Sequence, residues 1–141
     1  MPRMKTVSKR IVSAATVTTT GSAVVDLPAA DVYTFILSMG TATGTSPTCD
    51  VVIQNTPDGG TTYVNTALKF TQGTGTASAI QITVPQSRNM VTASNAVAAT
   101  GSLLSKDTVL SQRVRFLYTI GGTNPSYATI TVDMFALVAA N

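Results

Sequence analysis

The chain has no histidine, no tryptophan and no glutamate, and its only cysteine is Cys49. These absences remove most of what enzymes work with. Proton transfer near neutral pH draws on histidine or on a pair of carboxylates. The acids here are six aspartates, at 26, 31, 50, 58, 107 and 133. They are scattered, and Asp26, Asp31 and Asp58 stand beside turn residues, where an aspartate ordinarily bonds its own backbone. Cys49 has no histidine to activate it and no second cysteine to pair with. It sits in the strand-like run Cys49-Asp50-Val51-Val52-Ile53 and reads as a buried structural thiol. Zinc would lack ligands and calcium would lack a cluster of oxygens. Neither Gly40-Thr41-Ala42-Thr43-Gly44 nor Gly73-Thr74-Gly75 leads into a helical pattern or a Lys-Ser/Thr pair, so no phosphate loop is expected. The expectation is a protein that is not an enzyme and uses no cofactor or metal.

Charge is the next shortage. Only 11% of the 141 residues are charged, against about 25% in an average domain. A monomer of this mass exposes roughly 6,900 Å², so its surface is covered mainly by Thr, Ser, Ala and Gly. Such a surface suits a protein packed against other proteins. The formal charge of +3 is concentrated: Arg3, Lys5, Lys9 and Arg10 supply four of the nine basic residues, and the rest of the chain holds five basic and six acidic ones. The body is therefore nearly neutral, with a basic N-terminal arm expected over residues 1–12. That arm could neutralise phosphates, but no aromatic platform accompanies it, so nucleic acid is an unfavoured partner.

No window approaches the roughly 20 apolar residues of a membrane helix. The basic start followed by Ile11–Thr20 could pass for a signal peptide, but hydroxyl residues interrupt the apolar stretch and it reads as a strand.

What is present in abundance is threonine, about one residue in six, beside valine, isoleucine and tyrosine. β-branched side chains suit a pleated surface. Tyr33, Phe35, Leu37 and Met39 alternate along one face, as do Val114, Phe116, Tyr118 and Ile120, with Arg113, Arg115 and Thr119 opposite. Ala128, Ile130, Val132, Met134 and Val138 repeat the pattern, which is that of half-buried antiparallel strands. Turn signals divide the chain into about eight strands, at 11–19, 21–26, 31–39, 48–55, 61–70, 77–84, 112–120 and 126–138. Within residues 85–111, Asn89–Leu104 is Ala- and Ser-rich without a clean period, so the stretch reads as a long connection, with a short helical turn or an irregular edge strand as the alternatives within it.

Gly44-Thr45-Ser46-Pro47-Thr48 is echoed by Gly122-Thr123-Asn124-Pro125-Ser126. Both read as the joints of hairpins, with Gly allowing positive φ and Pro blocking ladder pairing. The expected fold is all-β: a single antiparallel two-sheet sandwich, jelly-roll-like, over residues 13–141. Most aromatics fall in core positions of such a sandwich. Tyr63 and Tyr127, beside turns, are the expected exposed pair and the candidate ligand contact.

Asp58-Gly59-Gly60-Thr61-Thr62-Tyr63 followed by Phe70-Thr71-Gln72, and the run from Arg113 to Tyr127 with its Gly-Gly-Thr-Asn-Pro-Ser-Tyr close, resemble small β-sandwich proteins of tailed-bacteriophage virions. The resemblance spans residues 32–138 apart from 85–111. It implies a structural role on the virion, specifically a decoration or cement protein made in the host cytoplasm and bound to the outside of the capsid. The implied partners are the major capsid protein and further copies of the chain, as a trimer. Arg3, Lys5, Lys9 and Arg10, with Arg88 and Lys106, become the candidate contacts. A tail, baseplate or fibre component, or a carbohydrate-binding module, is the alternative.

Overall fold

A computed structural model describes residues 3–86, 103–105 and 109–140. These residues are all-β, with eight strands: β1 (Arg3–Val17), β2 (Gly21–Asp26), β3 (Val32–Met39), β4 (Ala42–Asn55), β5 (Val64–Lys69), β6 (Ser78–Pro85), β7 (Leu103–Ser105) and β8 (Arg113–Ala140). All belong to one hydrogen-bonded sheet, and every pairing is antiparallel except β6 with β7. No helix among the described residues is long and apolar enough to cross a membrane.

The organising element is β8, a strand of 28 residues. Straight, it would reach roughly 90 Å, while a domain of this length has a radius of gyration of roughly 14 Å. It must bend, and its neighbours show where. The first half of β8 lies between β2 and β4, with Gly21–Asp26 opposite Tyr118–Arg113 and Thr48–Asn55 opposite Gly121–Val114. The second half lies between β1 and β3, with Arg3–Val17 opposite Ala140–Tyr127 and Val32–Met39 opposite Leu137–Ile130. Between the halves runs a crease.

The two Gly-Thr-x-Pro segments form this crease, which corrects their reading as hairpin joints. They lie in different strands and face each other, with Thr45 opposite Thr123. Around that pair the backbone is nearly two-fold symmetric. Gly44 and Gly122 have φ of 106° and 107°, and Ser46 and Asn124 have 49° and 48°. Positive φ at alternate residues breaks the pleat and turns both strands together. The ladder resumes beyond, so the expected strands 112–120 and 126–138 are one strand. The crease extends to the flank of β8, where β1 ends at Val17 and β2 begins at Gly21. There the Thr20 hydroxyl accepts a hydrogen bond from the Ile120 amide (3.1 Å). On the other flank, Gly73 bridges to Cys49, and the Ala42 amide donates to the Gly75 carbonyl.

The curl brings the two halves of β8 together over one core. Phe35, level with Met134, meets Phe116, level with Ile53, edge to face with centroids 5.5 Å apart. The core follows the alternation legible in the sequence: Phe35, Leu37, Val51, Ile53, Val114, Phe116 and Val132 are at most 1% exposed. What differs is the division into layers. The expected pair of separate sheets appears here as one continuous curled sheet.

The start of the chain also departs from expectation. Residues 3–12 are not an arm beside the domain but the larger part of β1, paired with β8 at every position except the bulged Ile11. Ladder hydrogen bonds come from the backbone and need no apolar side chain. A strand whose side chains are mostly exposed therefore leaves little trace in a hydrophobic pattern. The expected start of β5 at 61 also moves, to Val64, because the amides of Thr61 and Thr62 are bound to Asp58.

Candidate interaction surface

The chemically distinctive surfaces are the outer face around Arg113 and Arg115, and the free edge of β1. On the first, Asp58 organises the turn before β5. Its carboxylate accepts hydrogen bonds from the Thr61 and Thr62 amides (3.0 and 2.8 Å) and from the Thr56 hydroxyl (3.0 Å). These bonds favour the ionised form and hold the carboxyl far below the usual aspartate range. Arg113 reaches from β8 to this turn, donating to the Gly59 carbonyl (3.1 Å) and to Asp26 on β2 (2.8 Å). Arg115 donates to the Gln54 side chain (2.7 Å), which in turn donates to Asn65 (2.7 Å). The Arg115 guanidinium also lies 4.0 Å from the centroid of the Tyr63 ring, a cation–π contact. A cleft of about 390 Å³ between Asp26, Thr56, Gly59, Ser111, Gln112 and Arg113 opens beside this network. The network clamps the 56–63 turn to the sheet and uses both guanidiniums internally.

The expected exposed aromatic pair does not form. Tyr127 is fully buried at the crease, its hydroxyl donating to the Gly73 carbonyl (3.2 Å). It lies opposite Val17 on one side and Ala42 on the other, so a turn-adjacent position in sequence became an interior one in the folded sheet. Tyr63 is half-buried, with Arg115 over its ring. Cys49 is fully buried, and burial pushes its thiol up to about 12. Among the described residues no three of His, Cys, Asp and Glu are grouped to hold a metal ion.

The second surface is β1. Its one long neighbour is β8, and among the described residues nothing pairs with its other edge. Arg3, Lys5, Val7 and Lys9 lie opposite Ala140, Val138, Ala136 and Met134. Directly opposed residues share a face, so these cations flank Val7 on the core side of the sheet. Met4, Thr6, Ser8 and Arg10 point to the outer side, beside Phe135 (40% exposed) and Leu137 (36%). A bulge at Ile11 then shifts the alternation so that Val12 enters the core.

The charges divide cleanly among the described residues. Arg10 forms a two-pronged ion pair with Asp133 (2.8 and 3.1 Å). Lys69 pairs with Asp50 at 3.1 Å, Arg113 with Asp26, and Arg115 is held by Gln54 and Tyr63. Arg3, Lys5 and Lys9 are exposed and have neither an ion pair nor a hydrogen-bond partner there. Of the expected contacts, Arg3, Lys5 and Lys9 thus form one basic row, while Arg10 is neutralised on the opposite face. Arg88 and Lys106 lie outside the described residues. Sequence reading located the basic cluster but not its division into two faces, although the period of two was available to suggest it.

Comparison with known proteins found no matching family model, no similar curated protein and no similar solved structure.

Proposed function

We propose that the chain is a non-catalytic structural protein of a tailed-bacteriophage virion, a decoration subunit that binds the outside of the capsid and bridges major capsid subunits. The observation that carries this reading is the long free edge of β1 with its row of unneutralised cations, on a body otherwise poor in charge. An edge of this kind is a template for another strand. The outer face adds an apolar strip, Met4, Phe135 and Leu137, along the same edge. Repeated over a lattice, modest contacts of this sort sum to firm attachment. Association with further copies, as a trimer, belongs to the same reading. So does a jelly-roll-like sandwich, in which the halves of β8 on either side of the crease act as two layers; the Phe35–Phe116 contact supports it.

The test is the copy number per particle, by quantitative mass spectrometry of purified virions. Copies in simple proportion to the major capsid protein are expected. A handful of copies would move the protein to the tail or baseplate, and none would refute a virion role.

A further inference from the structure

We infer that the free edge of β1 is built to take an extended acidic segment of a partner protein, with carboxylates opposite Lys5 and Lys9 and an apolar or small residue between them opposite Val7. The inference deepens the assembly reading above and rests on it for where the partner resides.

The argument begins with the edge. Among the described residues the backbone groups of β1 on its side away from β8 are unpaired, so an extended chain can gain ladder hydrogen bonds there whatever its sequence. Side chains decide which chain fits. On the core side of the sheet, the order along β1 is Arg3, Lys5, Val7, Lys9, each at alternate positions. An added strand must place its own side chains directly against these. A second copy of β1 fits poorly in the two registers that align Val7 with Val7. Antiparallel self-pairing centred on Val7 sets Lys5 against Lys9 of the other copy, and parallel pairing in register stacks each lysine on itself. Like charges directly opposite destabilise a sheet. Basic residues on an edge are also a known guard against self-association, and here that guard selects the complementary sign.

Among the described residues no acid forms an ion pair with Arg3, Lys5 or Lys9. Asp133 belongs to the outer face and is held by Arg10, while exposed Asp31, whose amide donates to the Leu137 carbonyl across β8, forms no ion pair among these residues. The complementary strand therefore reads acid-x-apolar-x-acid on the face toward Lys5 and Lys9. Its two intervening residues point to the outer side, beside Thr6 and Ser8 and the strip of Met4, Phe135 and Leu137.

Two measurements test this on the full chain. In the first, a fluorescein-labelled peptide of repeating Glu-Thr-Val-Thr is titrated by anisotropy, with hydrogen exchange read over Met4–Arg10. Binding that weakens with salt and protects these amides is expected, and a Lys-Thr-Val-Thr peptide should not bind. The double variant Lys5→Glu/Lys9→Glu should lose about tenfold or more in affinity, and Lys5→Gln/Lys9→Gln should fall between. Both sites are exposed, and an unchanged melting temperature verifies that the variants fold. In the second, the wild type and the charge-reversed variant compete for particles. Occupancy by the wild type but not the variant supports the inference. Equal occupancy refutes it while leaving the assembly reading standing. Failure of the wild type to bind particles, with peptide binding intact, refutes the assembly reading and leaves strand addition standing. Preference for a single-stranded oligonucleotide over the acidic peptide would overturn the inference in favour of phosphate.

Discussion

Thr45 lies directly opposite Thr123 at the crease of the sheet, and the backbone on either side of this pair is related by a near two-fold axis. Each strand approaches through a glycine with strongly positive φ and leaves through a proline. A Cβ at Gly122 would come within 2.6 Å of the Ser46 carbonyl oxygen and 2.9 Å of the Thr45 carbonyl oxygen.

Gly122→Ala should therefore destabilise the protein by about 2 kcal/mol or more, combining left-handed strain with a backbone clash. Gly59 also has positive φ (77°), but a Cβ there would meet open space, so Gly59→Ala should cost only about 1 kcal/mol. Urea denaturation of the two variants checks the contrast. Equal losses would mean that the close approach of the two strands contributes nothing.

Phe35 and Phe116 provide a direct probe of the curl. Each is fully buried, and each truncation to alanine should cost about 3–5 kcal/mol. Because the rings touch, the double variant should lose less than the sum, by about 1 kcal/mol. Strict additivity in a denaturant double-mutant cycle would show that the two halves of β8 do not meet in solution.

Cys49 should be silent to thiol reagents in the native protein at pH 8 and react only on unfolding. Its thiol, raised from 9.0 to about 12 by burial and then by the neighbouring Asp50 charge, stays protonated when folded but ionises in the unfolded chain. Above pH 9 the unfolded state thus binds fewer protons, and stability should decline as pH rises toward 12. Cys49→Ala should flatten that decline in thermal melts. Fast native-state labelling would contradict the buried placement.

Asp58 should govern much of the acid response. Its folded pKa is depressed from the ordinary 3.8 by backbone and side-chain hydrogen bonds. Its stabilisation is therefore present above that value and lost as pH falls below it, where the unfolded state binds more protons. Asp26, held by Arg113, and Asp133, held by Arg10, act in the same direction. Asp58→Asn should leave a shallower fall in stability below pH 4, measured by urea midpoints. An unaltered acid limb would assign the effect to the other aspartates.

The alternation of Tyr33, Phe35, Leu37 and Met39, and of Val114 and Phe116, was enough to place the strands and their buried faces. A period of two maps a side chain to one side of a sheet through local backbone geometry alone. The turn at Asp58 was legible for the same reason, since its hydrogen bonds are to residues within four positions. The candidate site was only partly so. The basic residues near the start were evident, but their membership of a paired edge strand was not, because nothing in their side chains records which backbone lies alongside.

Composition and local pattern thus determined the all-β class, most of the inward residues (Ala128, expected inward, is exposed), the buried thiol and the position of the basic cluster. Tertiary structure decided that two Gly-Thr-x-Pro segments face each other instead of closing hairpins, that Tyr127 is interior, and that Arg10 is neutralised while Lys5 and Lys9 are free. Each of these depends on pairing between residues roughly 80 to more than 120 positions apart. Such pairing is set by the ladder as a whole and by the single core it encloses, not by any one stretch of chain.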